Sequence, residues 1–141
     1  MARSIESCKG DCVKKEFNIS WKRSKQPRKQ RKFRANAPLH LKRKLLSSRL
    51  SKDLTKKHNT RSMPVRKGDK VKIVRGQFSG HMGKIDRVDT KRERIYIEGT
   101  DRTKLDGTKS LYPIHPSNVI IYDFVLDDKK RKEILERKNK K

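Results

Sequence analysis

Residues that could hold a metal ion or act as a nucleophile are few and widely spaced in this sequence. The cysteines are Cys8 and Cys12. The histidines stand singly along the chain, at His40, His58, His81 and His115. A tetrahedral zinc site needs its ligands close together, and acid–base catalysis needs a carboxylate beside a histidine or an activated nucleophile. We therefore expect two free thiols, no metal site, no cofactor and no enzyme activity; RNA hydrolysis by one of the histidines is the alternative.

Groups that bind phosphate, in contrast, are abundant. The 141 residues include 41 Lys and Arg against 16 Asp and Glu, for a formal net charge of +25, and only 30% are hydrophobic. Such a charge repels itself in a compact chain unless a polyanion lies against it, which indicates nucleic acid. An anionic membrane is disfavoured because no apolar run approaches the ~18 residues of a membrane span, and the basic runs lack a broad apolar face.

The first residues do not resemble a secretory signal. Charged residues occur at Arg3, Glu6, Lys9 and Asp11, where such a signal needs a continuous apolar stretch. We expect a cytoplasmic protein whose thiols stay reduced.

The excess charge lies in the N-terminal part of the chain. Residues 1–62 contain 20 Lys and Arg and 4 Asp and Glu, whereas residues 63–141 contain 21 and 12. The segment from Lys22 to Arg34 has eight basic residues and no acid, so it cannot offset its ordering entropy by burying apolar surface. We expect it to be disordered alone in water and to become ordered on a polyanion. A solvated charged face or an import signal is the alternative.

Two short helices are predicted after this segment. Asn36 is suited to cap a turn that Pro38 starts. An apolar stripe then follows, formed by Leu39, Leu41, Leu45 and Leu46. A second helix runs from a Ser51 cap to His58, and Asn59 is suited to the left-handed conformation that ends a helix. Both are too short to persist without a partner.

From Val65 onwards the pattern is typical of short β-strands. Apolar residues alternate with charged ones in three stretches, at Val71 and Ile73, at Ile85 and Val88, and at Ile95 and Ile97. The Leu105-Asp106-Gly107 sequence begins a hairpin whose returning strand is expected over Leu111 to Ile114, and the last strand, Val119 to Phe124, is read as apolar on both faces. These five strands favour a mainly β fold, a small barrel without exposed edges.

The C-terminal residues predict a charged helix after Leu126. Aspartates stand at its start and basic residues at its end, which suits the helix dipole. Three i,i+4 ion pairs are expected: Asp127 with Arg131, Asp128 with Lys132, and Glu133 with Arg137. Since only Ile134 and Leu135 are available for packing, we expect this helix to fray or to rest on the barrel and RNA rather than to contribute to the core.

The most informative stretch runs from Val65 to Gly99, where one strand leads through three glycines into the next. Gly76 lets the chain leave the first strand in a conformation that a Cβ would oppose, and Gly80 and Gly83 allow close approach to another backbone. The spacing is not that of a dinucleotide-binding or phosphate-binding glycine loop. The stretch resembles a KOW motif, and residues 75–84 are called the glycine loop below.

Donors for phosphate and for the ribose 2′-hydroxyl flank the glycine loop at Arg75, Gln77, His81 and Lys84. Phe78 either stacks on a base or anchors the loop to the core, and the anchor is favoured. His115 lies between two prolines in a rigid turn that could present its ring to RNA, although a hydrogen-bonded structural histidine is the commoner case.

The resemblance extends beyond this motif. Four segments in order, QPRKQRKFRANAPLHLKRKLLSSRLSKDL, RSMPVRKGDKV, YPIHPSNVII and KKRKEILERK, are similar to the large-subunit ribosomal protein family numbered twenty-four in bacteria and archaea and twenty-six in eukaryotes, with archaeal-type features. The similarity covers residues 25–138, and Met1 to Ser20 matches nothing in the family. It implies an SH3-like barrel that binds 23S-type ribosomal RNA near its 5′ end, acts early in subunit assembly and lies near the polypeptide exit tunnel.

The resemblance also divides the chain and assigns RNA contacts. It implies an unplaced extension (1–21), a basic RNA-binding arm with short helices (22–62), an SH3-like KOW barrel (63–125) and a charged C-terminal helix (126–141). By matching position the RNA contacts are Lys25, Arg28, Lys29, Arg31, Lys32, Arg34, Arg43, Lys44, Arg75, Gln77 and His81. Further candidates are Arg61, Arg66, Lys67, Lys84, His115 and Asn118.

The expected partners are large-subunit ribosomal RNA and neighbouring ribosomal proteins, without membrane insertion or homo-oligomers. The expected mechanism is folding of the arm on RNA, driven by counterion release and phosphate hydrogen bonds. An elongation factor with a KOW module is the rival function. Such factors have a preceding α/β domain, however, and residues 1–62 are too basic and too poor in apolar groups to form one.

Overall fold

The structure is a computed structural model that describes residues 17–21 and 24–139. The chain divides into two units, residues 1–37 and residues 38–141, each with its own internal contacts. Cys8, Cys12 and Lys22 lie outside the described residues. The expectation of two free thiols concerns Cys8 and Cys12 and therefore stays a prediction.

The first unit contains helix α1, Pro27–Asn36. Proline is tolerated in a first helical turn because the missing N–H would have no partner there, and the Lys, Arg and Gln residues that follow are good helix formers. Most of the segment from Lys22 to Arg34 is thus helical in the structure, and its disorder in the free chain stays a prediction. Asn36 is the last residue of α1 and does not cap the next helix.

The second unit begins with two short helices close to those predicted. Helix α2 spans Leu39–Leu45, and its N-cap position is occupied by Pro38 without a side-chain cap. Helix α3 spans Lys52–His58; the Ser51 hydroxyl oxygen accepts a hydrogen bond from the Leu54 N–H at 3.3 Å. Asn59 ends α3 in the left-handed conformation, with φ 48°. Both predicted end signals of α3 are confirmed.

Six strands form one sheet: β1 Ser47–Leu50, β2 Ser62–Pro64, β3 Lys70–Ile73, β4 Met82–Asp89, β5 Arg94–Ile97 and β8 Val119–Asp123. Their order in the sheet is β2-β1-β8-β3-β4-β5. Neighbours are antiparallel except β1 and β8, which are parallel with Arg49 opposite Ile120. Register shifts occur between Lys70 and Val71 and between Ile85 and Arg87, and irregularities of this kind bend a sheet. The fold is mainly β and SH3-like, as predicted.

Strands β1 and β2 were not predicted; β1 lies in the segment assigned to the basic arm, and β2 lies at the boundary between that segment and the barrel. Strand β1 has no apolar alternation, because its buried Ser48 fills a position where a hydrophobic residue would be expected. The Ser48 hydroxyl instead donates to the Pro116 carbonyl oxygen at 2.7 Å. A polar strand satisfied by such a distant partner leaves no local signal in the sequence.

A separate two-stranded hairpin joins β6, Asp101–Thr103, to β7, Lys109–Leu111. Gly107 closes the turn with φ 76° and donates its N–H to the Lys104 carbonyl oxygen at 3.0 Å. The predicted turn is confirmed, but the returning strand starts at Lys109 rather than Leu111. Ile114 forms only an isolated bridge to Ile95.

The core is formed by strand residues and by three residues outside the named strands, Val65, Ile114 and Leu135. Its fully or largely buried members are Leu50, Met63, Val65, Val71, Ile73, Ile85, Ile95, Ile97, Ile114, Val119, Ile121 and Leu135. Strand β8 contributes Val119 and Ile121, whereas Tyr122 is exposed. The prediction of a last strand apolar on both faces was therefore wrong, because β8 buries alternate residues.

Helix α4, Lys129–Asn139, begins where the sequence predicted. The Asp128 carboxylate accepts from the Lys130 N–H at 3.0 Å, which caps the first turn. None of the three expected i,i+4 pairs forms among the described side chains. Arg131 instead pairs with Asp69 in the barrel, because its helix face meets the sheet. Leu135 belongs to the core, so the helix contributes more packing than expected.

Candidate nucleic-acid interface

Helix α1 presents most of the cations expected in the arm. Five of the predicted contacts, Arg28, Lys29, Arg31, Lys32 and Arg34, lie on α1, and Lys25 precedes it. All six are exposed, and the helix has no acidic residue. Because α1 has no buried residue, its cations project from several sides and could contact phosphates on more than one strand.

An aromatic cluster supports α1 within the first unit. The ring of Phe33 lies 4.8 Å from that of Phe17 and is stacked at 5.5 Å on Trp21, between centroids. Aromatic pairs in this range attract each other beyond the area they bury. The segment before α1 thus helps to hold the helix.

Helix α2 carries two further predicted contacts, Arg43 and Lys44, and both are exposed. Lys42 on the same helix is buried, with its Nζ 3.5 Å from the Lys91 carbonyl oxygen. The basic residues of α2 therefore divide between a structural lysine and two cations that face solvent.

The glycine loop is held by hydrogen bonds of its own backbone. The Ser79 N–H donates to the Gly76 carbonyl oxygen at 3.1 Å, and the Gly80 N–H donates to that of Ile73 at 2.8 Å. Gly76 has φ 108° and Gly80 has φ 89°, values that a side chain disfavours. These contacts leave Arg75 and Gln77 exposed at the turn.

The close approach expected of two glycines occurs at only one of them. A Cβ on Gly83 would lie 2.7 Å from the Glu98 carbonyl oxygen, so β4 can pair with β5 here only without a side chain. At Gly80 a Cβ would meet nothing within 4 Å, and the expectation of a close approach was wrong. Gly80 is required for its backbone angle alone.

His81 forms a hydrogen bond to the residue after β5 through one ring nitrogen. Its Nε2 lies 2.9 Å from the Glu98 carbonyl oxygen, and since that oxygen only accepts, Nε2 carries the proton. In the neutral ring Nδ1 is then an acceptor. An acceptor suits a ribose 2′-hydroxyl rather than a phosphate oxygen, which narrows the role expected of His81.

Phe78 anchors the glycine loop, as favoured from the sequence. It is partly buried against the core, and its ring centroid lies 5.5 Å from that of Tyr112. Tyr112 is exposed beside it, and the sequence analysis did not single it out.

Two other predicted contacts, Arg66 and Lys67, lie in the turn between β2 and β3. Arg66 is 2.7 Å from the Asp128 carboxylate, and Lys67 is 3.6 Å from that of Asp86. Both cations remain exposed, and solvent-exposed ion pairs are weak, so a phosphate can compete for either side chain. Arg66 and Lys67 lie in one groove with Arg43.

The turn before β8 places two candidates next to the glycine loop. Ring nitrogen Nδ1 of His115 accepts from the Ser117 N–H at 3.3 Å and lies 2.8 Å from the Ser117 hydroxyl, so the ring caps the 3-10 helix Pro116–Asn118. The Asn118 carbonyl oxygen accepts from the Val74 N–H at 2.8 Å. His115 is thus a hydrogen-bonded structural histidine, and its contact with RNA stays a prediction.

The remaining candidates are one cation on the sheet and one just before it. Lys84 on β4 and Arg61, which precedes β2, are both exposed. Apart from Lys44 and Arg61, the predicted contacts fall into three groups: α1 with Lys25, the glycine loop with the turn before β8, and the groove beside α2.

A comparison with protein-family models identifies the family of this chain. The model of the ribosomal proteins described as eukaryotic L26 and archaeal L24p matches residues 24–138, which is most of the chain. The chain belongs to this family. A member of the L26/L24p family is a structural constituent of the large subunit of the cytoplasmic ribosome.

The family and the described residues also bear on enzyme activity, metal binding and membrane insertion. The L26/L24p family is structural rather than enzymatic. In the described part of the chain no group of three or more His, Cys, Asp or Glu is arranged to hold a metal ion. No helix among the described residues is long and apolar enough to cross a bilayer.

Proposed function

We propose that this protein binds 23S-type ribosomal RNA near its 5′ end, supports early assembly of the large subunit and lies near the polypeptide exit tunnel. The arm, the glycine loop and the groove beside α2 supply the contacts. The proposed contact residues are those predicted from the sequence, with Phe78 acting as an anchor rather than as a contact.

The observation that carries this proposal is the exposure of the arm cations. Helix α1 holds five exposed cations, no acid and no buried residue, so it gains little from packing. Phosphates would neutralise these side chains and release counterions from the RNA, which is the main source of affinity for such surfaces. A helix of this composition is suited to lie between RNA strands.

The glycine loop supplies contacts of another kind. Arg75 and Gln77 offer exposed N–H donors, and His81 offers an acceptor. Donors and acceptors on a loop of fixed backbone can distinguish ribose hydroxyls from phosphates, whereas the arm reads charge alone. The arm would thus supply most of the affinity for RNA, and the glycine loop would fix the position of the protein along the RNA.

Sedimentation of a cell extract at moderate salt tests the proposed function. A large-subunit protein travels with that subunit in stoichiometric amount. Recovery with RNA polymerase would instead indicate an elongation factor, and recovery in the supernatant would contradict both assignments. Hydroxyl-radical footprinting of the bound RNA then tests for protection near its 5′ end.

A further inference from the structure

Three aromatic rings pack together in the unit that contains helix α1. The ring centroid of Phe33, on α1, lies 4.8 Å from that of Phe17 and 5.5 Å from that of Trp21. All three residues are half-buried, and they are called the aromatic clasp below. Phe17 and Trp21 precede residue 24, where the match to the L26/L24p family begins. The clasp is thus formed in part by residues outside the family match.

A tight turn precedes α1 and positions two rings of the clasp. The Asn18 side-chain oxygen Oδ1 accepts hydrogen bonds from the Ser20 N–H at 2.9 Å and from the Ser20 hydroxyl at 2.6 Å. Bonds from an asparagine side chain to a residue two positions later stabilise a turn. The rings on either side of this turn, Phe17 and Trp21, can therefore contact a single ring on α1.

The clasp occupies one face of α1 and leaves the cations outside it. Gln30 and Phe33 are three residues apart, hence on one face, and both are half-buried, whereas the other residues of α1 are exposed. The Gln30 side-chain amide donates to the Ser24 carbonyl oxygen at 2.5 Å, so the chain just before α1 is held against the same face. The cations of α1 therefore stay exposed while the helix is held.

Helix α1 has few features of its own that would keep it folded in water. It has ten residues, no side-chain cap at its N-terminus and no acid in its first turn. Cations three or four residues apart repel each other along it, as Arg28 does with Arg31 and with Lys32. A helix so short and so charged is marginal without contacts beyond its own backbone. The clasp and the Gln30 hydrogen bond supply such contacts.

We propose that the aromatic clasp holds α1 folded before RNA is bound, so that Phe17, Trp21 and Phe33 are positioning residues for the arm cations. The proposal rests on the proposed function and adds how the arm becomes competent to bind. It departs from the disorder predicted for the segment from Lys22 to Arg34 in the free chain. An arm that is already ordered loses less conformational entropy on binding, so its affinity for RNA is higher.

The Cα chemical shifts of the full-length protein, measured by NMR without RNA, test this proposal. Residues 27–36 of the native protein should have helical shifts. Phe33→Ala should lose them although alanine has the higher helix propensity, because the clasp is removed. Phe17→Ala/Trp21→Ala should lose them with no change in α1 itself. Phe33→Tyr keeps an aromatic ring and should keep the helix, and Ile19→Ala, at an exposed position beside the clasp, is the matched control.

Filter binding of the same variants to large-subunit ribosomal RNA over a range of salt concentrations gives a second readout. If the folded fraction of α1 falls to about a tenth in the clasp variants, their Kd should rise about tenfold. The log-log salt slope should not change, because the number of phosphate contacts stays the same. Loss of a cation that contacts phosphate would lower the slope, so the two causes of weaker binding are distinguishable.

Each contrary result has its own meaning. Random-coil shifts for α1 in the native free protein would overturn the proposal and mean that the arm folds on RNA. Helical shifts retained by both clasp variants would also overturn it, and weaker RNA binding by those variants would then place the rings on the RNA. Absence of salt-dependent RNA binding by the native protein would instead contradict the proposed function, while the shifts would still decide whether the clasp holds α1.

Discussion

Arg131 and Asp69 form a buried two-point ion pair between the C-terminal helix and the barrel. The guanidinium Nη1 donates to Oδ1 at 2.8 Å and Nη2 donates to Oδ2 at 2.7 Å, and the side chains are 4% and 0% exposed. Asp69 Oδ2 also accepts from the Arg66 N–H at 2.9 Å. The pair therefore fixes helix α4 and the turn that presents Arg66 to the groove.

Replacement of Arg131 by methionine should destabilise the protein strongly. Arg131→Met leaves the Asp69 carboxylate buried without its counterion, which costs about 3–5 kcal/mol. The free energy of unfolding from urea titration measures this loss. Lys132→Met, at an exposed position in the same helix, should change it by less than about 0.5 kcal/mol. Equal free energies of unfolding for Arg131→Met and Lys132→Met would contradict a role for the pair.

Neutralisation of the arm should flatten the salt dependence of RNA binding. Replacing the six arm cations by glutamine removes about six phosphate contacts, and the log-log slope should fall by about 4–5 at 0.7–0.9 per phosphate. The substituted residues are Lys25, Arg28, Lys29, Arg31, Lys32 and Arg34. Filter binding over a range of salt concentrations measures the slope.

A charge-matched control separates arm contacts from general charge. It replaces the same number of exposed cations outside the proposed contacts, namely Lys57, Lys91, Arg92, Arg102, Lys104 and Lys109. This control should reduce the slope much less than the arm variant. Equal reductions would mean that the protein binds RNA through its overall charge and not through the arm.

Introduction of a methyl group at Gly83 should disturb the pairing of β4 with β5. The new Cβ would lie 2.7 Å from the Glu98 carbonyl oxygen and 2.9 Å from Ile97 Cγ2, so the strands must separate. Gly83→Ala should lower the free energy of unfolding by about 1–3 kcal/mol, the usual range for overpacking. Met82→Ala, at the exposed neighbouring position, is the control and should have little effect. An unchanged melting temperature for Gly83→Ala would show that the strands relax at no cost.

Substitution of His81 should affect stability but not the salt slope. His81→Leu removes the hydrogen bond from Nε2 to the Glu98 carbonyl oxygen and should cost about 1 kcal/mol. Because an acceptor for a 2′-hydroxyl releases no counterion, the slope for RNA should not change. His40→Leu on the exposed side of α2 is the control for both measurements. A slope reduced by about one phosphate contact would assign His81 to a phosphate instead.

Local signals predicted the elements whose ends or faces are decided within a few residues. Helix α3 was predicted because Ser51 and Asn59 mark its ends, and β3, β4 and β5 were predicted because apolar residues alternate with charged ones. The short strands β1 and β6 were missed because their residues are mostly polar, and β2 was missed because three residues are too few to show an alternating pattern. Their pairing depends on partner strands and not on a pattern of their own.

The residue types of the candidate site could be predicted from the sequence, but the spatial neighbours of each residue could not. The basic residues of the arm and of the glycine loop were evident from composition and spacing. Arg87, which also lines the groove beside α2, was overlooked because it reads as an ordinary exposed strand residue until Tyr96 is placed opposite it. In the same way Arg131 was assigned to a helical neighbour, since its true partner Asp69 is distant in sequence.

The parallel pairing of β1 with β8 has a consequence for the newly synthesised chain. Strand β1 is made early but must wait for β8, which emerges near the end of translation, before its second edge is covered. Helix α1 belongs to the other unit of the chain and depends on no such late strand. Vectorial synthesis would therefore offer the cations of α1 to RNA while the sheet is still incomplete.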